Sequence, residues 1–243
     1  MNIFALSNDP GEAAQFQHDR HVIKMILESA QMLSAACHAD EAYMGIVPKQ
    51  YREKLYKPTH QNHPCNVWLR ESPNNFVWLA LHLDALVAEY HRRFGKVHKT
   101  NELRMAFNEA ICNIVGVDRM WTRDAFRNLV IDERLTTLAY CHSEFAVCMP
   151  DDCKSIYGPI DSYQCYYAAD KIFQNHVKWT KCESLPDFLT GMLFRVRTPA
   201  KVQERIMELV DANKAQNAPL PYPLNPKPFV PAGFAAPSFL RRK

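Results

Sequence analysis

Glycine is scarce, at seven in 243 residues, and valine, isoleucine and threonine do not gather into alternating runs. Both absences argue against a β-sandwich or a glycine-fingerprinted dinucleotide sheet. No apolar stretch approaches the roughly 18 residues that cross a bilayer. The N-terminus reaches Asp9 and Glu12 before any long apolar run, so no secretory leader is read there and a cytoplasmic location is expected. The eight cysteines contain no Cys-x-x-Cys pair, which in such a chain points to reduced thiols rather than a disulfide framework. Net charge is only +3, so a nucleic-acid partner would need a local basic patch rather than bulk charge.

What remains is helical. Asp9-Pro10 is an N-cap followed by proline at the first helical position, and predicts a helix running to about Cys37. Met1–Leu6 before it is apolar and expected to lie extended against the core. A polar, Tyr/Lys-rich loop is expected from Ala39 to Asn62. His63-Pro64 opens a second helical tract, broken at Ser72-Pro73 and ended by Gly95. Further helices are expected over Lys99–Val115, Arg123–Tyr140, Ser162–Trp179 and Pro199–Ala215, with a turn-rich stretch from Pro150 to Pro159. From Ala218 onward prolines recur every few residues among Phe, Leu and Tyr, which excludes helix or central strand. The reading is a mainly α chain: a single helical domain over 1–217 and an extended proline-rich C-terminal arm over 218–243. That arm could join copies into a homo-oligomer.

Four constellations could carry chemistry. On the first helix a narrow polar strip of Gln17, His21, Lys24, Glu28 and Gln31 runs beside Val22, Met25, Ile26, Ala30 and Leu33, with Ile23 and Leu27 widening the apolar surface. The strip is either a solvated face with a Lys24–Glu28 pair four apart or one wall of a cleft. The loop Tyr56–Cys65 holds Lys57, His60, His63 and Cys65, of which the last three are metal-ligand types, but without the helical i, i+4 spacing of the common zinc hydrolases. Arg92, Arg93, Lys96 and Lys99 form a basic run at a helix end, suited either to the helix dipole or to phosphates. Tyr163, Tyr166, Tyr167, Lys171, Lys178 and Trp179 interleave aromatics with lysines, as a base-stacking platform or as core with snorkelling amines.

Taken together the first two helical tracts resemble the endonuclease V-type pyrimidine-dimer DNA glycosylases. The resemblance rests on the apolar N-terminus, on Asp19, His21 and Glu28 in the first helix, and on His63-Pro64 with Trp68 following. It also rests on the long helix from Phe76 to Phe94 with its basic end, and more loosely on Tyr166-Tyr167 with Lys171. The stretches DRHVIKMILESAQML, NHPCNVW and GKVHK are also similar to a group of tailed-phage proteins, which would place the protein in the host cytoplasm.

The resemblance implies small all-helical repair enzymes in which the chain's own α-amine attacks the sugar C1′ and a first-helix glutamate assists. An α-amine is partly unprotonated at neutral pH and needs little tuning to act as a nucleophile. Carried over, Glu28 is the carboxylate, His21 positions substrate or amine, Lys24 contacts phosphate, and Met1 brings the amine. Asn2, Arg20, Gln31, Lys57, His60, His63, Lys96, Lys99, Tyr166, Tyr167 and Lys171 are candidate substrate contacts. DNA carrying damaged or modified bases is the expected partner, with no membrane, no metal and no cofactor. The chain departs from the pattern at residue 2, where the family has a small residue exposed by methionine removal and this chain has Asn. Either Met1 keeps and uses the amine, or Lys24 substitutes, or lyase chemistry is absent. A base transferase on the same scaffold, a non-catalytic interaction module and a metal hydrolase using His60, His63 and Cys65 remain as alternatives.

Overall fold

The computed structural model describes residues 1–116, 133–195 and 198–217, and among these it holds eleven α-helices and no strand. They are α1 (Pro10–Phe16), α2 (Asp19–Ala39), α3 (Glu41–Ile46), α4 (Lys49–Arg52), α5 (Pro64–Glu71), α6 (Pro73–Phe94), α7 (Asn101–Val115), α8 (Glu133–Tyr140), α9 (Pro159–Ala169), α10 (Asp187–Met192) and α11 (Ala200–Asn217). The proline-rich arm, 218–243, and most of the expected helix over Arg123–Tyr140 lie outside the described residues. The mainly α reading holds.

Local signals place several helix ends where they were expected. The Asp9 carboxylate accepts the Glu12 amide at 2.7 Å, the His63 ring caps α5, and the Ser72 hydroxyl caps α6. Gly95 closes α6 with φ of 66°, a left-handed conformation that suits glycine. Ile3 to Leu6 are buried, so the N-terminal segment is wedged into the core as its composition predicts, but it is kinked at Phe4 rather than extended throughout.

Four boundaries differ from expectation. The helix begun at Pro10 does not run unbroken to Cys37, since Gln17 and His18 are extended and separate α1 from α2. The break is held by a distant residue: the fully buried Arg93 guanidinium, on α6, donates to the Gln15 and Gln17 carbonyls at 2.9 and 2.8 Å. The Ala39–Asn62 loop contains α3 and α4, the first capped by Asp40. The aromatic helix stops at Ala169 instead of reaching Trp179, after which residues 171–173 form a short 3-10 turn. The helix α10 had no periodic signal, being only six residues long.

α6 is the central helix, packing against α1, α2, α5, α7 and α8. Three buried tryptophans tie loops to this core through their indole N–H groups. Trp78 donates to Asn8 O at 2.7 Å, Trp68 to Ser143 O at 3.3 Å, and Trp179 to Phe16 O at 3.0 Å. Each thus combines a large apolar burial with a satisfied donor.

Candidate active site

The site begins where the N-terminus meets Glu28, midway along α2. The Glu28 side chain is about one-seventh exposed and collects three nitrogens. Its Oε2 accepts the Asn2 amide at 3.2 Å and lies 3.8 Å from the Met1 amine nitrogen, while Oε1 meets Lys24 Nζ at 3.2 Å. Lys24 itself is mostly exposed. The strip thus carries an i, i+4 pair on its outside, and the same carboxylate is turned toward the chain terminus.

Asn2 fixes that geometry. Its side-chain amide donates to Cys148 O at 2.7 Å and its carbonyl accepts the Phe4 amide at 3.2 Å. The segment thus turns sharply, and Phe4 takes φ of 43°. Asn66, on α5, forms the floor: its buried amide donates to His60 O at 2.8 Å and Thr59 O at 3.3 Å, and contacts Met1 Sδ at 3.6 Å. Asn66 Oδ1 is buried with no hydrogen-bond partner. His63 belongs to the same group. Partial burial and then the positive N-terminus depress its pKa, with Glu28 working the other way, so the ring stands in the field of both.

Two cysteines adjoin this group. Cys65 Sγ lies 3.4 Å from Cys148 Sγ and 4.0 Å from Tyr163 Oη. The hydrogen bond from Cys65, aided by the positive N-terminus and Lys154, outweighs burial and lowers the Cys148 thiol to about 7. Neither Asn66 nor Cys148 was legible as a site residue. Asn66 shares a helix turn with His63, a signal that could have found it. Cys148 is brought in only by tertiary packing.

The other candidates fall elsewhere. His21 is buried, with its ring 4.7 Å from Phe4, 4.4 Å from His18 and 5.2 Å from Tyr167, and burial first, then His18, lowers its pKa to about 2. It is a neutral core imidazole at ordinary pH. Tyr167 is fully buried and its hydroxyl accepts the His18 amide at 2.9 Å, leaving no surface for a substrate. Tyr166 and Lys171 are only partly buried: Lys171 Nζ donates to Tyr166 Oη at 2.9 Å, pairs with Asp170 at 2.6 Å, and sits 5.7 Å above the Phe4 ring. Arg20 is exposed and donates to Asn175 O at 2.9 Å, while Gln31 is half-buried one turn beyond Glu28.

Of the basic run, Arg93 is a core residue and Arg92 is engaged by Glu89 at 2.7 Å, so neither offers itself to phosphate. Lys96 and Lys99 are exposed. Tyr56 Oη lies 3.2 Å from Thr100 Oγ1, which brings the exposed neighbours Lys57 and Lys99 to one region. His60 is exposed at the rim, with φ of 50° and its ring bonded to Thr59.

The Met1–Glu28 pairing lies within a stretch that matches a known family. Residues 1–103 match the pyrimidine dimer DNA glycosylases. This glycosylase-like segment comprises the N-terminal wedge, α1 to α6 and the first residues of α7. It contains every residue around Glu28 except Cys148, and it does not include Tyr166, Tyr167 or Lys171. Comparison with curated proteins and with solved structures returned no match. Among the described residues, no helix is long and apolar enough to cross a membrane.

Proposed function

We propose that the protein is a DNA glycosylase that acts on damaged or modified pyrimidines through an amine at its N-terminus, with Glu28 as the assisting acid/base. One observation carries this reading: a shielded carboxylate reaches both of the first two backbone nitrogens, at 3.8 and 3.2 Å, inside the family-matched segment. If Met1 is retained, its amine is the nucleophile. If it is removed, the Asn2 nitrogen becomes an amine already beside the same oxygen, so residue 2 does not decide whether the chemistry is available.

In the reaction the neutral amine attacks C1′, the glycosidic bond breaks, and its electron pair leaves with the base, which takes up a proton. Loss of an amine proton leaves an N-glycoside. The nitrogen lone pair then forms the C1′=N bond as C1′–O4′ breaks, O4′ takes up a proton, and a protonated imine joins enzyme and ring-opened sugar. Glu28 is placed to accept the amine proton and to stabilise positive charge developing at the sugar. Lys24, beside it and exposed, is placed for a phosphate, and Lys57 and Lys99 extend the basic surface.

The test is borohydride trapping on duplex DNA carrying a pyrimidine dimer, with an abasic duplex in parallel and base release followed separately. The expected result is a covalent protein–DNA band that disappears when the terminal amine is blocked. Glu28→Gln should lower base release by at least about 100-fold, the lower range for a positioned acid/base group. Its stability should change by less than about 1 kcal/mol, since an i, i+4 pair contributes only a few tenths. Duplex binding with neither trapping nor base release would overturn the proposal. Mass measurement of the intact N-terminus identifies which residue bears the amine.

A further inference from the structure

The fold assembles a second group beside the amine that the proposed reaction does not use. His63, Cys65 and Cys148 each offer one ligand atom, and these atoms all lie within 4.8 Å of one another. His63 and Cys65 come from the cap and first turn of α5, whereas Cys148 comes from the extended segment after α8. We propose that these three side chains bind a thiophilic divalent ion of the zinc class, with a water completing the coordination.

The spacing favours a shared ion over a disulfide. In a tetrahedral zinc site, bonds of about 2.3 Å to sulfur and 2.0–2.1 Å to nitrogen put two sulfurs about 3.8 Å apart and sulfur and nitrogen about 3.6 Å apart. The observed sulfur–sulfur separation is 3.4 Å. A disulfide requires about 2.0 Å. Two sulfurs and one nitrogen suit zinc better than calcium or magnesium, which take oxygen ligands.

The surroundings also fit. Cys65 is fully buried in the first turn of α5. Binding of a divalent ion would displace the Cys65 thiol proton and neutralise the charge on the two sulfurs. His63 Nδ1 accepts the Cys65 amide at 3.2 Å, so it bears the lone pair, and ligation would exchange that hydrogen bond for a metal bond. The Cys148 carbonyl is held by Asn2 at 2.7 Å, and Tyr163 donates to Ala146 O at 2.7 Å behind Cys65. The ion would therefore fasten the segment carrying Cys148 to α5 and, through Asn2, hold the N-terminus against Glu28.

This inference does not depend on the glycosylase reading, and its test needs no DNA. The full chain, reduced and stripped of metal, is titrated with cobalt(II) chloride. The expected result is saturation at one equivalent, with a sulfur-to-cobalt charge-transfer band, intense four-coordinate visible bands, and bleaching by zinc. Cys148→Ser and His63→Gln should each lose or markedly weaken the spectrum while their circular dichroism stays native. Cys182→Ser, at a thiol that instead contacts Arg92, should retain it. The proposal is overturned by a flat titration of reduced protein, by a full spectrum in Cys148→Ser, or by a Cys65–Cys148 disulfide under reductant. Amine trapping on DNA without any cobalt spectrum would remove the ion and leave the catalytic proposal standing.

Discussion

Arg93 offers the sharpest test of how the site is held. Its side chain is fully buried and makes four hydrogen bonds: to Glu89 Oε2 at 2.8 Å, Gln17 O at 2.8 Å, Gln15 O at 2.9 Å and Asp19 Oδ1 at 3.2 Å. Burial pulls the Glu89 carboxyl upward, but Arg92 and Arg93 outweigh it and leave its pKa below the usual value. Arg93→Met keeps most of the volume and removes every one of these bonds. The carboxylates are not fully stranded, because Asp19 keeps the Thr180 amide and hydroxyl at 3.0 and 2.6 Å and Glu89 keeps Arg92. The Gln15 and Gln17 carbonyls lose a charged donor.

Breaking one side of a buried pair costs about 3–5 kcal/mol. At roughly 2–4 °C per kcal/mol for a chain of this size, the melting temperature should fall by about 6–20 °C. Urea unfolding followed by tryptophan fluorescence measures the loss, and Arg93→Lys should fall between wild type and Met because an ammonium restores only part of the fork. DNA affinity of the folded protein should be unchanged, since Arg93 has no exposed side-chain surface. A cost below about 1 kcal/mol would refute the argument that this guanidinium holds the break between α1 and α2.

Two further outcomes are expected. Burial lowers the pKa of His18 to about 3, His21 to about 2 and His82 to about 4, so the unfolded chain binds more protons below about pH 6.5. The stability contributed by keeping them neutral is complete above about pH 6.5 and is lost as pH falls toward the folded values, at about 1.4 kcal/mol per unit per imidazole. Near about pH 4.5 the three together withdraw about 8 kcal/mol, comparable with a typical total, so acid unfolding should fall near pH 4–5; a urea midpoint constant from about pH 7 to 5 would contradict this. Lys57→Ala and Lys99→Ala should each weaken DNA binding regardless of sequence and reduce the salt-dependence slope by about 0.9, with an unchanged slope placing them off the DNA path.

Chemistry encoded within a few residues was readable before the structure. Asp9-Pro10, His63-Pro64, Ser72-Pro73 and Gly95 each mark a helix boundary through the side chain or ring at that position. The position of Glu28 on a polar strip of an otherwise apolar helix was readable from spacing alone. The break at Gln17-His18 was not, because its carbonyls are satisfied by an arginine more than seventy residues later. Tyr167 and Tyr166 are adjacent in sequence, and periodicity alone did not show that one fills the core while the other is partly exposed. Nor did spacing show that His21 is buried among the rings of His18, Phe4 and Tyr167.

The central position of α6 bears on how this protein can be divided. The family match stops at residue 103, three residues into α7, yet α7 and α8 both cover α6. Asp84, on α6, is buried and is met by Asn108 at 2.5 Å and Arg104 at 3.3 Å, both beyond the matched segment. Severed after residue 103, the chain would present an uncovered carboxylate and the apolar seat of Phe107 to water. Such a fragment should be recovered as aggregate rather than as a minimal enzyme, and any transplant of the catalytic end onto another protein must carry α7 with it.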